Sequence, residues 1–131
     1  MRARWFAPLL NRPVGATQFL KEQFPAVKFH LEKRIIRGGK MYRWIRFDLD
    51  GKTVLRARAV VDLQKSRPAI SKALRKTDLP IGSIIQKYHV KRTRLKSTTR
   101  SRSFHFLGDL HASVWERFYH LPPTQIDSSS D

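Results

Sequence analysis

The sequence predicts an α+β protein, an antiparallel sheet with helices packed on one face. Three observations predict it. Residues 41–62, "MYRWIRFDLDGKTVLRARAVVD", read as two strands around Asp50-Gly51. That dipeptide suits a two-residue type I′ turn, whose central residues both need positive φ. Residues 26–36, "AVKFHLEKRII", alternate Val27, Phe29 and Leu31 with Lys28, His30 and Glu32, as in a strand with one wet face. In "SRPAISKALRK" the period lengthens, and Ile70, Ala73 and Leu74 form a helical apolar stripe.

The elements follow in chain order. "ATQFLKEQF" (16–24) carries Phe19, Leu20 and Phe24 at helical spacing, and Pro25 ends that helix. After the first strand, "RGGK" is a turn into the 41–62 hairpin. With Asp50 and Gly51 as the two turn residues, an unbroken register sets Arg43 opposite Arg58, Ile45 opposite Arg56 and Phe47 opposite Val54. Tyr42, Trp44 and Arg46 then share the other face with Leu55, Ala57 and Ala59. Ser66 is the expected N-cap of the next helix, with Pro68 in its first turn. Asp78 is the expected cap of a short helix that starts near Pro80 and runs through Ile84 and Ile85. "KRTRLKSTTRSRS" (91–103) holds six Lys or Arg and no acid, and reads as a basic loop or exposed hairpin tip. "FHFLGDLHASVWERFYHLPP" reads as a strand, a Gly-Asp turn and a final strand. The expected organisation is a basic arm over 1–8, one domain over 9–123 and a polar tail over 124–131.

Composition narrows the function classes. The chain has 131 residues, 27 Lys plus Arg against 10 Asp plus Glu, and a formal charge of +17. Such an excess attracts polyanions, and here it is spread along the whole chain, as expected of a folded body touched by nucleic acid on several sides. Without cysteine, disulfides, thiol chemistry and cysteine-built zinc sites are excluded. Histidines 30, 89, 105, 111 and 120 lack tight metal spacing, so no metal and no cofactor is expected. No apolar run approaches the ~20 residues of a membrane span. The N-terminal "MRARWFAPLLNRP", with Arg2, Arg4 and Arg12 and no acid, resembles a mitochondrial address and suits equally a basic arm that lies on nucleic acid or starts the fold.

Like charges directly opposite on a sheet are unfavourable, so Arg43 facing Arg58 calls for a bridging anion, a nearby acid such as Glu116, or escape into solvent. The order of elements and several spaced motifs resemble chorismate lyase and the related UTRA sensor domain of GntR-type regulators, over residues 9–123. "DGKTVLRARAVVD" resembles the family's Asp-Gly turn and following strand, "LPIGSII" falls where the family has Pro-Leu-Gly, and "VWERFYHLPP" resembles its Thr-Glu-Leu-Phe-Leu-Pro. "GAT" at 15–17 falls at a Ser-Met-Thr-like segment. The resemblance implies a carboxylate-holding arginine at Arg43 and a second site arginine at Arg58. It also implies a product-contacting amide at Ile81 and the site acid at Glu116. The chain departs from the family in its shorter N-terminal region and shorter cover between "PIG" and the last strand, and in its charge. A less enclosed pocket weakens catalysis, because excluding water strengthens a site's electrostatics.

The reading drawn from all this is a structural RNA-binding component of a mitochondrial ribosome in the matrix. Its expected partners are ribosomal RNA and neighbouring ribosomal proteins, with a small carboxylate in a vestigial pocket. Arg92, Arg94, Lys96, Arg100 and Arg102 are the first candidates for phosphate contact. Arg2, Arg4, Lys33, Arg34, Arg37, Lys72, Arg75 and Lys76 are the second rank, and Trp5 and Tyr88 are candidates for stacking on bases. The alternative is a working chorismate lyase that releases 4-hydroxybenzoate and pyruvate through Arg43, Arg58 and Glu116. A third reading is a non-ribosomal binding module, such as a regulator's sensor domain or a subunit of an organellar complex; the sequence shows no DNA-binding segment of the kind expected beside a sensor.

Overall fold

The structure, a computed structural model, describes residues 4–122. It holds α1 (Ala7–Asn11), α2 (Ala16–Gln23), β1 (Lys28–Arg37), β2 (Lys40–Leu49), β3 (Lys52–Asp62), α3 (Pro68–Lys76), α4 (Ile81–Ile84), a 3₁₀ turn (Ile85–Lys87), β4 (Val90–Ser97), β5 (Ser101–Gly108) and β6 (Ala112–Phe118). The strands form one antiparallel sheet in the order β1-β2-β3-β6-β5-β4. This is the α+β class expected from the sequence.

One face of the sheet is buried under two apolar clusters. Trp5, Phe6, Leu9, Leu20 and Phe24 pack on Phe47, Leu55 and Phe118, while Ile70, Leu74, Ile84 and Ile85 pack on Met41, Val61, Phe104 and Phe106. Trp5 and Phe6 are therefore core, so the described part of the basic arm over 1–8 starts the fold. Trp5 is 7% exposed, sits edge-on to Phe6, Phe24 and Phe118, and donates its indole N–H to Tyr119 O at 2.8 Å. It has no free face for a base. Pro8 in the first turn of α1 starts a helix too short to show periodicity, which hid it in the sequence.

The 41–62 hairpin turns at Asp50 and Gly51, with φ of 52° and 78°. Its register differs from the unbroken one. Phe47 pairs with Leu55 and Asp48 with Thr53, so Val54 is an extra residue, a β-bulge. A one-residue slip sends every later side chain to the opposite face. Arg43 now lies opposite Ala59, Trp44 opposite Arg58, Ile45 opposite Ala57 and Arg46 opposite Arg56. The slip buries Leu55, Ala59 and Val61 and leaves Arg56 and Arg58 exposed. Burying two arginines in their place would carry a heavy desolvation cost.

Three further expectations are corrected. Of the 91–103 run only residues 98–100 form the expected exposed hairpin tip; 91–97 and 101–103 are strand, hidden because the inward residue Arg92 stands where an apolar one would have shown the alternation. A bulge at Arg94 and Leu95, with Arg94 at φ 55°, breaks the pattern again. Ser66 does not cap α3; the cap residue is Arg67, and Ser66 Oγ instead donates to Asp62 O at 2.7 Å and accepts from His111 N at 3.0 Å. Asp78 does not cap α4 either. Pro80 holds that position, and Asp78 lies 3.4 Å from Arg34. The tail over 124–131 lies outside the described residues.

Candidate functional site

A cavity opens between the two clusters. Ala16 and Thr17 at the start of α2 and Ile81 and Gly82 of α4 form its roof, and inward residues of the sheet form its floor. Gly82 lets the helices close: a Cβ there would stand 3.2 Å from the Thr17 side chain. The space measures about 60 Å³ to the centre of a water-sized sphere. One water needs about 10–15 Å³ by that measure. The walls are apolar, from Phe29, Ile45, Phe47, Phe104 and Phe106, and three charged groups reach them: Arg43, Arg92 and Glu116.

Arg43 is 1% exposed. One terminal nitrogen donates to Leu79 O at 2.8 Å, and its Nε has no partner. Among the described residues no acid stands within ion-pair distance of it. Burial, then the charge of Arg34 beside it on β1, push its pKa down to about 10 against the weaker pull of Asp78. Between pH 10 and the ordinary arginine value the unfolded chain therefore binds more protons, so this group's contribution to stability rises with pH there. Below pH 10 it opposes folding in full, unless an anion pairs with it. Arg34 is itself engaged at the end of α3, donating to Leu74 O at 3.1 Å and Thr77 O at 2.8 Å, where a cation suits the last carbonyls.

Glu116 accepts from Arg102 Nε at 2.5 Å. The rest of the Arg102 fork donates to Leu9 O (3.0 Å), Arg12 O (3.2 Å) and Val14 O (2.8 Å), which ties the α1–α2 connection to the sheet. Arg92 lies over Phe106 at 4.8 Å, with its guanidinium against Gly15. Its Nε is unpartnered, and burial first, then Arg102, lower its pKa against the pull of Glu116. Arg102 and Arg92 thus flank one carboxylate, and Arg43 reaches the same cavity with no acid of its own among the described residues. The arrangement suits a small anion with an apolar body.

The structure sorts the residues expected from the sequence. Arg43, Ile81 and Glu116 line this cavity together. Arg58 does not; the Val54 bulge turns it to the opposite face, where it stacks 4.5 Å over Trp115. Arg92 and Arg102, expected on phosphates, point inward. Arg102 is 2% exposed. Arg34 is spent on helix carbonyls. Arg94, Lys96 and Arg100 stand exposed around the β4–β5 tip, and Lys33, Arg37, Lys72, Arg75 and Lys76 are exposed elsewhere. Arg4 is exposed and donates to Thr99 O, and Arg2 lies outside the described residues. Tyr88 is half-buried between Arg67 and Lys87. Arg92 was the pocket residue that sequence reasoning missed. The period-two run Arg102, Phe104, Phe106 was the one signal that cations on this hairpin turn inward.

No helix among the described residues is long and apolar enough to cross a membrane, and no three His, Asp or Glu among them are placed to hold a metal ion. Fold and site define a small α+β protein with an arginine-rich cavity under its helices and a strongly basic surface. The chain matches no protein-family model and no curated protein.

Proposed function

We propose that this chain is an RNA-binding structural protein of a ribonucleoprotein, built on a chorismate lyase-like scaffold, and that the assembly is a mitochondrial ribosome. The observation that carries the RNA reading is where the +17 charge sits. Acids within 4.0 Å engage Arg34, Arg46, Arg56, Arg67 and Arg102. Lys33, Arg37, Lys72, Arg75, Lys76, Arg94, Lys96 and Arg100 are exposed on several sides of the body. A compact domain repels itself with such a surface and gains by neutralising phosphates. The mitochondrial assignment rests on the acid-free, arginine-bearing N-terminus. The scaffold assignment rests on Arg43, Ile81 and Glu116 lining one cavity, as the resemblance implies.

Affinity for a structured ribosomal RNA fragment, measured against salt, is expected to fall with a log–log slope of about −4 or steeper, as for five or more phosphate contacts. A slope near zero would exclude this reading. The protein is also expected to sediment with mitochondrial ribosomes at moderate salt.

One observation favours a second reading, the lyase: Arg43 is buried with no acid within ion-pair distance among the described residues, in a cavity that Glu116 also lines and that suits a carboxylate. Against it, the second expected site arginine faces away, and Glu116 is held by Arg102. No chorismate turnover is expected from the purified protein. Turnover abolished by both Arg43→Ala and Glu116→Ala would replace the RNA reading with the lyase.

A further inference from the structure

The face of the sheet opposite the helices carries a pattern that neither the cavity nor the surface charge as a whole explains. The register lays Lys33, Trp44, Arg58, Trp115, Ser103 and Lys96 in one transverse row across the six strands. Two residues along the strands, a second row sets Arg46, Arg56 and Arg117 side by side on β2, β3 and β6. Trp115 is 42% exposed, a large aromatic surface left to solvent. A broad open groove runs over this region, lined by Trp44, Arg56, Arg58, Lys96, Trp115 and Arg117.

The two rows differ in chemistry. In the first, aromatic rings alternate with cations: Lys33 lies 5.4 Å from the Trp44 ring and Arg58 4.5 Å from the Trp115 ring. Trp44 and Trp115 are two strands apart, about 9–10 Å. The second row places like charges directly opposite one another, which is unfavourable unless anions intervene. Glu32 and Asp48 serve Arg46, and Glu32 reaches Arg56 at 3.9 Å, while Arg117 at the far end leans on Tyr119. A track of cations beside a track of rings, Trp115 exposed and Trp44 half-buried, about 7 Å away, is complementary to a strand whose phosphates and unstacked bases lie on parallel lines. A protein-docking patch would instead be depleted of charge at its centre.

We propose that this open face binds an unpaired, base-exposing stretch of RNA. Trp44 and Trp115 are its stacking platforms, and Arg56, Arg58, Arg117 and Lys96 take its phosphates. The proposal rests on the RNA-binding reading and names the surface and the form of RNA.

The test uses the full chain and an unstructured uridine-rich RNA of about 12 nucleotides, within the site size of such surfaces, with a paired duplex of equal length beside it. The single strand is expected to bind more tightly than the duplex and to quench tryptophan fluorescence. Trp115→Ala and Trp44→Ala are each expected to weaken the single strand about tenfold or more, and Trp115→Phe to recover much of the loss. Arg56→Gln and Arg117→Gln are expected to make the salt slope shallower by about one unit each. If the double tryptophan variant, folded by circular dichroism, keeps wild-type affinity for the single strand, the open face is not the platform. In that case the RNA reading still stands, provided structured RNA binds with a steep salt slope. If the wild type binds no RNA, both fall. If the tryptophan variants keep RNA affinity but leave the ribosome, the face docks a protein and the proposal is overturned.

Discussion

Replacing Arg102 by methionine is expected to destabilise the fold by about 3–5 kcal/mol, the range for removing one partner of a buried pair. The Arg102 side chain is fully buried and meets a Glu116 side chain that is 9% exposed. Its loss strands that carboxylate under the helices and removes the donors from Leu9 O, Arg12 O and Val14 O. Those carbonyls run from the last turn of α1 through the connection to α2, beside the core residues Leu10 and Ala16, so the α1–α2 segment loses its fastening to the sheet. A urea titration or a thermal melt reads the effect. Exchanging both partners, Arg102→Met with Glu116→Gln, is expected to cost less than Arg102→Met alone, because no uncompensated charge remains. A loss below about 1 kcal/mol for the single change would mean that the pair behaves like an exposed one.

Gly108→Ala is expected to be as damaging, about 3 kcal/mol or more, because a clash adds to backbone strain. Gly108 closes β5 with φ at 100°, and a Cβ built there would fall 2.3 Å from His89 O. That oxygen accepts from Asp109 N at 2.9 Å, and the Asp109 carboxylate accepts from His89 N at 3.0 Å. The reciprocal pair joins the start of β4 to the end of β5, so neither side moves without breaking it. Gly51→Ala is the control. Its φ is 78° but no atom lies within 4 Å of the new Cβ, so only strain of about 1 kcal/mol is expected. Equal effects at the two glycines would show that the β4–β5 junction yields to the methyl group.

Much of the fold was legible. The Asp50-Gly51 turn, the wet-faced β1 strand and the stripe of α3 are local patterns, and each is present in the structure. The site was legible only in part. Arg43, Ile81 and Glu116 share a cavity. Arg58 was misplaced because a bulge at Val54 leaves no local mark: valine fits a regular strand as well as a bulged one. The burial argument, that Arg56 and Arg58 belong outside, was available and points to the observed register. Arg92 and Arg102 were misread because a basic run is ordinarily solvated, and only packing reveals that two of its members turn inward.

The sequence by itself determined the class of the fold, its main hairpins and helices, and the surplus of positive charge. Tertiary structure alone decided which arginine faces what. Side chains on a strand alternate, so one inserted residue inverts every face beyond it. That inversion took Arg58 off the face of Arg43, set Ala57 and Ala59 beside the cavity instead, and aligned Trp44, Arg58 and Trp115 on the open face. Parity of register is a property of paired strands, and no single strand carries it.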